Sequence, residues 1–406
     1  MRISTSTIYD ANVSMLNQQQ TKLLQTQQQL ASGRRMLTPA DDPAASARAL
    51  EVIQSDAANT QYATNRYAAK SSTALSEGIL QSVTTLLQDV KTTAVQAGGG
   101  AMTPSDKRTL ANDLSSRLEE LQAVANSTDG IGNFLFSGYQ GRTQPFANSA
   151  SGVQYMADDG QRMIQVSSSR QMAASDSGAD IFMRIKNGNG TFIAQPDPAS
   201  NLGAGNAGSG ISSQGIVTNP ALLTGNNYQV SFSVAVVAGV TTTTYDVTNT
   251  TTAAVLSAGN SYVSGQAISF DGMQFDVTGA PANGDAFTLA PSSNESIFKT
   301  ISDLIATMGT SSSTFSNNLN KALNKLDRDM DNVLTVRASL GSRLRELDSL
   351  QITGEDLGLS FKATLSQLQD VDYNKGISDL NQQQLSLTAA QKTFQQISGL
   401  SLFNYL

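Results

Sequence analysis

The chain has 406 residues, a formal net charge of −7 at neutral pH, and no Cys, no His and no Trp. Without Cys there is no thiol nucleophile, disulfide, thiolate metal site or iron–sulfur cluster, and without His the commonest general base and transition-metal ligand are gone. Catalysis would have to use carboxylate, Lys, Tyr, Ser or Thr groups, so neither an enzyme nor a cofactor is expected.

The chain opens with "MRISTSTIYDANVSML", one Arg and no continuous apolar core, which is unlike a cleavable secretory signal. No apolar run approaches the roughly 20 residues of a bilayer span, and Lys and Arg form no block, so neither membrane insertion nor nucleic-acid binding is expected. Leu16, Leu23, Leu30 and Leu37 recur every seven residues, with Ile8 and Met15 beside them. That repeat predicts a helix with one seam facing a partner helix. The seam is narrow, because Gln20 and Gln27 stand where a strong coiled coil would place a second apolar residue. Within "LASGRRMLTPADDPAAS", Gly33 is expected to end that helix, with Arg34 and Arg35 beside its negative end. Pro39 forbids continuation, and Asp42 followed by Pro43 reads as the N-cap and first residue of the next helix; both aspartates, Asp41 and Asp42, read as caps.

Further on, Gly98 to Gly100 mark a helix stop, and Thr103, Pro104 and Asp106 form the start of another helix carrying Leu110, Leu114, Leu118 and Leu121. The stretch "VQYMADDGQRMIQV" alternates about Asp159-Gly160 and predicts a hairpin, as does "FMRIKNGNGTFIA" about its Asn-Gly turns. Between Lys186 and Lys299 there is no Lys or Arg, and Gly, Thr, Ser, Val and Ala dominate. So abrupt a change marks an inserted domain. Its β-branched and aromatic runs "YQVSFSVAVV", "TTTTYDVTN" and "AISFDGMQFDV" predict strands, the last a hairpin about Asp271-Gly272. Leu319, Leu323, Leu326, Met330, Val333, Leu334, Leu340, Leu344, Leu347 and Leu350 then trace a long amphipathic helix. Finally Tyr373, Leu380, Leu387 and Phe394 repeat the seven-residue spacing, with Ala390 and Ile397 on an adjacent stripe. Either terminal helix alone would expose its stripe, so pairing the two is the simplest remedy, and the chain runs out and back.

Few features suggest chemistry. Asp271, Asp276 and Asp285 lie among glycines, yet lack EF-hand spacing and the nonapeptide calcium repeat, and read as turn residues. Gly98 to Gly100 lack the Lys-Ser or Lys-Thr of a phosphate loop. The Asp41-Asp42 pair would need a cleft separating its two pKa values to serve acid–base chemistry, and the cap pattern accounts for Asp42 more simply. The terminal stripes fit two readings equally, an internal two-helix coiled coil or a polymerisation surface whose heterologous contact builds a helical assembly.

"MRISTSTIYD", "LASGRRMLTPADDPAAS", "ANSTDGIGNFLFSGYQGRTQPF", "DIFMRIKNGNGTF" and "KTFQQISGLSLFNYL" resemble the flagellar hook-associated protein 3 family, hook–filament junction proteins related to flagellin. "GQAISFDGMQFDVTGAPANGDAFTL" is similar to a segment of the outer domains of hook-associated proteins. The resemblance covers both flanks, about 230 to 300 residues, while about 196 to 225 matches nothing useful. It implies a mainly α fold with an inserted all-β domain. The terminal coiled-coil helices would pair in an inner tube, with a helical-bundle domain bearing β-hairpins outside and a β domain at the surface.

The corresponding domains are 1–42 with 360–406, 43–186 with 295–359, and 187–294. The assembly seam is expected at Leu16, Leu23, Leu30, Leu380, Leu387, Phe394 and Ile397, and the inter-domain joint at Gly33, Pro39, Asp42 and Pro43. The resemblance implies export through the flagellar type III channel to an extracellular position. Implied partners are hook-associated protein 1, flagellin, further copies of the chain in a ring, and a cytoplasmic export chaperone on the C-terminal helix. No catalytic, cofactor or metal residue is implied. The alternatives are flagellin itself, or a secreted β-domain adhesin or glycan-active enzyme.

Overall fold

The computed structural model describes residues 5–99, 102–237, 240–309 and 312–399. Its helices are α1 (Thr5–Ser32), α2 (Pro43–Ala97), α3 (Pro104–Ala125), a single turn α4 (Ser200–Gly203), α5 (Ile297–Met308), α6 (Ser312–Gln369) and α7 (Tyr373–Gly399). The chain forms two compact units, Met1–Arg66 with Ser349–Leu406, and Tyr67–Asp348.

In the unit Tyr67–Asp348, alternating three- and four-residue spacing buries Leu80, Val83, Leu87, Val90 and Ala94 on α2. On α6 it buries Leu319, Ala322, Leu326, Val333 and Leu340, and Leu347 beyond them is buried too. Each fully buried Leu or Val contributes about 1.5–3 kcal/mol, so these stripes dominate the stability of the helical core. Helix α3 starts at the capping box read from sequence: the Thr103 hydroxyl accepts from Asp106 N, and the Asp106 carboxylate accepts from Thr103 N. Phe146 packs 5.2 Å from both Phe182 and Phe298, joining the hairpin region to α5. Asp176 and Arg343 pair at 2.7 Å in a largely buried setting.

Asp329 lies in this core. It is 3% exposed, the Thr300 side chain beside it favours its charged form, and its Oδ2 has no hydrogen-bond partner. Burial, reinforced by the nearby Glu295 charge and opposed by Lys325, raises its pKa from 3.8 to about 7. Lys325 is itself committed to Glu295 at 2.6 Å and to Asp303 at 3.3 Å.

The two hairpins expected on either side of the domain boundary do not form as read. Strand β1 (Phe146–Ser149) pairs with β2 (Gly152–Tyr155), and β3 (Met163–Ser167) with β4 (Arg170–Ala173). The segments flanking Asp159-Gly160 therefore belong to two successive hairpins, each closed by a nearer turn, and Asp158 instead binds the Tyr139 and Gly160 amides. Likewise β5 (Ile185–Lys186) and β6 (Phe192–Pro196) do not pair with each other, because each finds a strand from the return of the chain. The intervening Asn187 clamps the return instead, its Oδ1 accepting from Ser293 N and its carbonyl from the Ser292 hydroxyl.

The insert continues with β7 (Ile211–Ser212), β8 (Ile216–Val217), β9 (Tyr228–Val237), β10 (Val240–Asn249) and β11 (Ala254–Ser261). It ends with β12 (Ala267–Phe270), β13 (Met273–Thr278), β14 (Ala286–Pro291) and β15 (Asn294–Glu295). An antiparallel sheet runs β11-β10-β9-β14-β6, a second runs β12-β13-β7 with β8 also on β13, and β15 pairs with β5. Between the two larger sheets Phe192, Tyr228, Val230, Phe232, Phe275 and Phe287 form a separate core. The β12–β13 hairpin turns at Asp271 and Gly272, with φ of 43° and 76°, as the Asp-Gly pair predicts. Asp285 is buried and accepts from four donors, Asn201 Nδ2 and the amides of Ala207, Gly208 and Ala282. Its role in the fold is to bind a loop together.

Candidate functional site: the terminal helix pair and its joint

No described helix is long and apolar enough to cross a membrane, and no group of three or more acidic residues is placed to hold a metal ion among the described residues. The features that point to function lie in the unit formed by the two chain ends.

Helices α1 and α7 pack antiparallel. The Tyr9 and Phe394 rings lie 5.2 Å apart at one end, and at the other a Cβ on Gly376 would come within 2.9 Å of Leu30 Cδ2. Stepping inward by heptads from the Tyr9–Phe394 contact sets Leu16 opposite Leu387 and Leu23 opposite Leu380. All of Leu16, Leu23, Leu30, Leu380, Leu387 and Phe394 are half-buried. The side chain of Ile397 lies outside the described residues.

The polar positions of this seam differ from the expectation. Gln20 and Gln27 are exposed, and the facing residues are Gln19 and the buried Thr26, three residues after Leu16 and Leu23 instead of four. A 3.5-residue repeat alternates three and four, and the rotation of α1 against α7 selects which is used. Gln19 Oε1 and Gln383 Oε1 are both buried without a donor, so the seam holds an unsatisfied polar layer. Meanwhile Met15, Leu24, Leu50, Ile352, Leu359, Ile377 and Leu385 of the same unit are exposed, Leu385 at 73%.

The turn between α1 and α2, where the joint is expected, is tied to the returning chain. Gly33 follows α1 with φ of +70°, the left-handed cap that favours glycine, and a Cβ there would stand 3.1 Å from the Tyr373 hydroxyl. Its carbonyl accepts from Val371 N, and Arg35 N donates to the Gln369 carbonyl at 2.7 Å, so the outgoing and returning chains form a short antiparallel bridge at Arg34 and Asp370. Arg35 departs from its expected place, since its guanidinium donates to the Leu368 carbonyl at 2.9 Å and thereby caps α6, not α1. The sequence neighbour of Arg35 is α1, but the carbonyls within its reach come from the returning helix.

Asp42 is the N-cap of α2, accepting from Ala45 N at 3.0 Å, with Pro43 the first helical residue. Asp41 is not a helix cap. Its Oδ2 accepts from both Leu37 N and Thr38 N at 2.8 Å, and its Oδ1 from Gln25 Nε2 at 3.0 Å, which ties the Pro39 turn back to α1. The Thr38 and Leu37 amides hold its carboxyl below the ordinary Asp range, so this tie is present at neutral pH and lost only as pH falls below that range. Beside the tie runs an apolar groove of about 560 Å³ lined by Met36, Leu37, Pro39, Leu50 and Ile53.

Asp41→Ala is expected to speed amide exchange at Leu37 and Thr38 about tenfold while leaving the α2 cap intact. Gly33→Ala is expected to cost about 1–2 kcal/mol from the left-handed backbone. Unchanged exchange at 37 and 38 would show that the Pro39 turn holds without Asp41.

The bacterial flagellin N-terminal helical region is the family model that matches, over residues 3–141. Flagellar hook-associated protein 3 of Salmonella typhimurium is 30% identical over 99% of this chain and 99% of its own length. The hook-associated protein 3 of Escherichia coli is 27% identical with the same coverage. Among solved structures, the flagellar junction protein FlgL of Legionella pneumophila is 31% identical, covers 80% of this chain and 100% of its own, and superposes with a TM-score of 0.69. With terminal helices paired antiparallel, a stapled joint, and an end-to-end match to these proteins, the chain belongs to the flagellar hook-associated protein 3 family.

Proposed function

We propose that this chain forms a ring of its own copies that joins hook-associated protein 1 on the hook side to the flagellin filament on the other. Its role is that of a structural component of the flagellum at the hook–filament junction. The observation that carries the finer reading is the terminal pair itself, which leaves Met15, Leu24, Ile377 and Leu385 uncovered. A chain that was complete as a monomer would bury them.

In this reading Leu16, Leu23, Leu30, Leu380, Leu387 and Phe394 hold the pair together, and Ile397 extends the seam. The residues 1–42 and 360–406 line the tube, 43–186 with 295–359 form the surrounding helical domain, and 187–294 face outward. Gly33, Pro39, Asp42 and Pro43 form the joint at which strain between a bent hook and a stiffer filament is taken up. Export uses the flagellar type III channel, with a cytoplasmic chaperone covering the C-terminal helix beforehand. No step of this role needs a catalytic group.

Flagellin is the nearest rival. The hook-associated proteins match this chain end to end, whereas the flagellin of Shigella flexneri matches 56% of it at 26% identity and covers 37% of its own length. Gold-labelled protein on intact flagella is expected as one band of few copies where hook meets filament. Labelling along the whole filament would overturn the junction reading in favour of flagellin.

A further inference from the structure

We propose that Lys321 anchors a site for a small organic carboxylate, where α6 passes the base of the β-rich insert. Asn317, Lys321, Lys325 and Asp329 follow one another at four-residue steps and so form one polar stripe along α6. Asn317, Lys325 and Asp329 are buried, and Lys321 is half-buried. Polar groups are tolerated in such a position where other groups meet them. Asn317 Nδ2 donates to the Gly210 carbonyl at 2.6 Å, and Lys325 pairs with Glu295 and Asp303. The other cation of the stripe, Lys321, has no hydrogen-bond or ion-pair partner among the described residues.

Lys321 and Asn318 stand on the shared wall of two cavities. One, of about 290 Å³, lies between α5 and α6 and is lined also by Asp303, Thr307 and Lys325. The other, of about 340 Å³, is lined also by Gln195, Asp197 and Asn206 of the insert. An ammonium group drawn from water without a partner is costly, and burial, reinforced by the nearby Lys325 charge, lowers the pKa of Lys321. Gln195 and Asn318 present side-chain amides that bond to no other described residue. Asn206 Oδ1 accepts from the Ser200 hydroxyl and the Ala286 amide, and its Nδ2 is buried with no acceptor. The charged group without a partner here is a donor, and a negatively charged acceptor complements it.

The charges around the site limit the ligand. Lys299, Lys321 and Lys325 meet the carboxylates of Glu295 and Asp303, while Asp329, with a pKa of about 7, is protonated in mild acid. One further negative charge balances the cluster. Asp303 on one wall and Asp197 on the other oppose a second, which sets a monocarboxylate above a doubly charged oxyanion. The oxygens of Asp197 are already held by Ala199 N and Gln229 Nε2, and those of Asp303 by Lys299 and Lys325. The amides of Gln195 and Asn318 are suited to hydroxyl groups, so D-glucuronate, one carboxylate on a polyol, is the probe. The site lies wholly within Tyr67–Asp348 and does not depend on the junction reading.

The full-length chain would be titrated calorimetrically at about pH 6, where Asp329 is protonated, with D-glucuronate, D-glucose and sulfate in turn. Glucuronate is expected to bind saturably, at least about tenfold more tightly than either of the others, and Lys321→Met to weaken it about tenfold. Lys321→Met removes an unpaired cation and should melt no lower than the parent, which separates lost binding from lost fold. Should that variant fail to fold, Lys321→Gln replaces it with the same expectation. Glucose bound as tightly as glucuronate would show that the charge is not read, and sulfate bound as tightly would remove the selection for a single charge. Either result would overturn the proposal, as would unchanged binding in the folded variant or no binding of glucuronate to the parent.

Discussion

Replacing Asp329 with Asn is expected to remove about 4 kcal/mol of pH dependence from the unfolding of Tyr67–Asp348 between about pH 4 and pH 8. In the folded chain the carboxyl titrates at about 7, against 3.8 when free. The folded pKa is the higher one, so the associated stability is fully present below 3.8 and drains away as pH rises to about 7. At roughly 1.4 kcal/mol per unit, that interval accounts for the expected size. Asn has nearly the shape of the protonated acid and does not titrate, so the variant should gain on the parent as pH rises. The groups facing Asp329 sharpen the test. Glu295 disfavours its ionisation and Lys325 favours it, but Lys325 is already paired with Glu295 and Asp303. Urea unfolding followed by circular dichroism at several pH values would measure the difference. Parallel pH profiles for the two proteins would mean that Asp329 ionises normally in the folded state.

Phe394→Asp is expected to abolish incorporation, leaving cells with hooks and no filaments, and Leu380→Asp to do the same. Phe394 packs on Tyr9 at 5.2 Å, and a carboxylate there would lose that contact and carry a charge into the seam. The pair has little stability to spare, since its layers already include Gln19, Thr26, Gly376 and Gln383. The loss should be confined to the chain ends, so the unfolding of Tyr67–Asp348 serves as a control. Leu385→Asp separates the two readings of the stripes. Leu385 is 73% exposed on α7, so a charge there spares the pair and strikes only an outer face. Filament loss in Leu385→Asp would identify that face as an assembly surface. Normal filaments in Phe394→Asp would reject the seam altogether.

Much of this architecture was legible in the residue order. The seven-residue spacing of Leu16, Leu23 and Leu30 and of Leu380, Leu387 and Phe394 predicted two helices with single seams, and the chain supplies α1 and α7. Thr103-Pro104-Ser105-Asp106 specified its capping box because all the partners lie within one helical turn. The Asp271-Gly272 hairpin is equally local, and so is the loss of cations that marks the insert. Such signals involve residues within a few positions of one another, and their physics does not wait for the rest of the chain.

The errors arose where a residue had a distant partner closer than its sequence neighbours. Strands β5 and β6 look like one hairpin about Asn187 to Gly190, yet each is claimed by a strand about a hundred residues later. Arg35 sits beside the end of α1 in sequence but caps α6 in space. Asp41 and Asp42 are adjacent and identical in type, and they do different work, one tying a turn to Gln25 and the other capping α2. The rotation that chose Gln19 over Gln20 depends on where α7 lies. Asp329 reads as one more polar residue of an amphipathic helix until α5 and the core close over it. Periodicity, caps and tight turns were thus determined by sequence alone, being contests between neighbours. Register, long-range caps and the raised pKa were decided only by tertiary structure, because each depends on which distant group arrives to displace water.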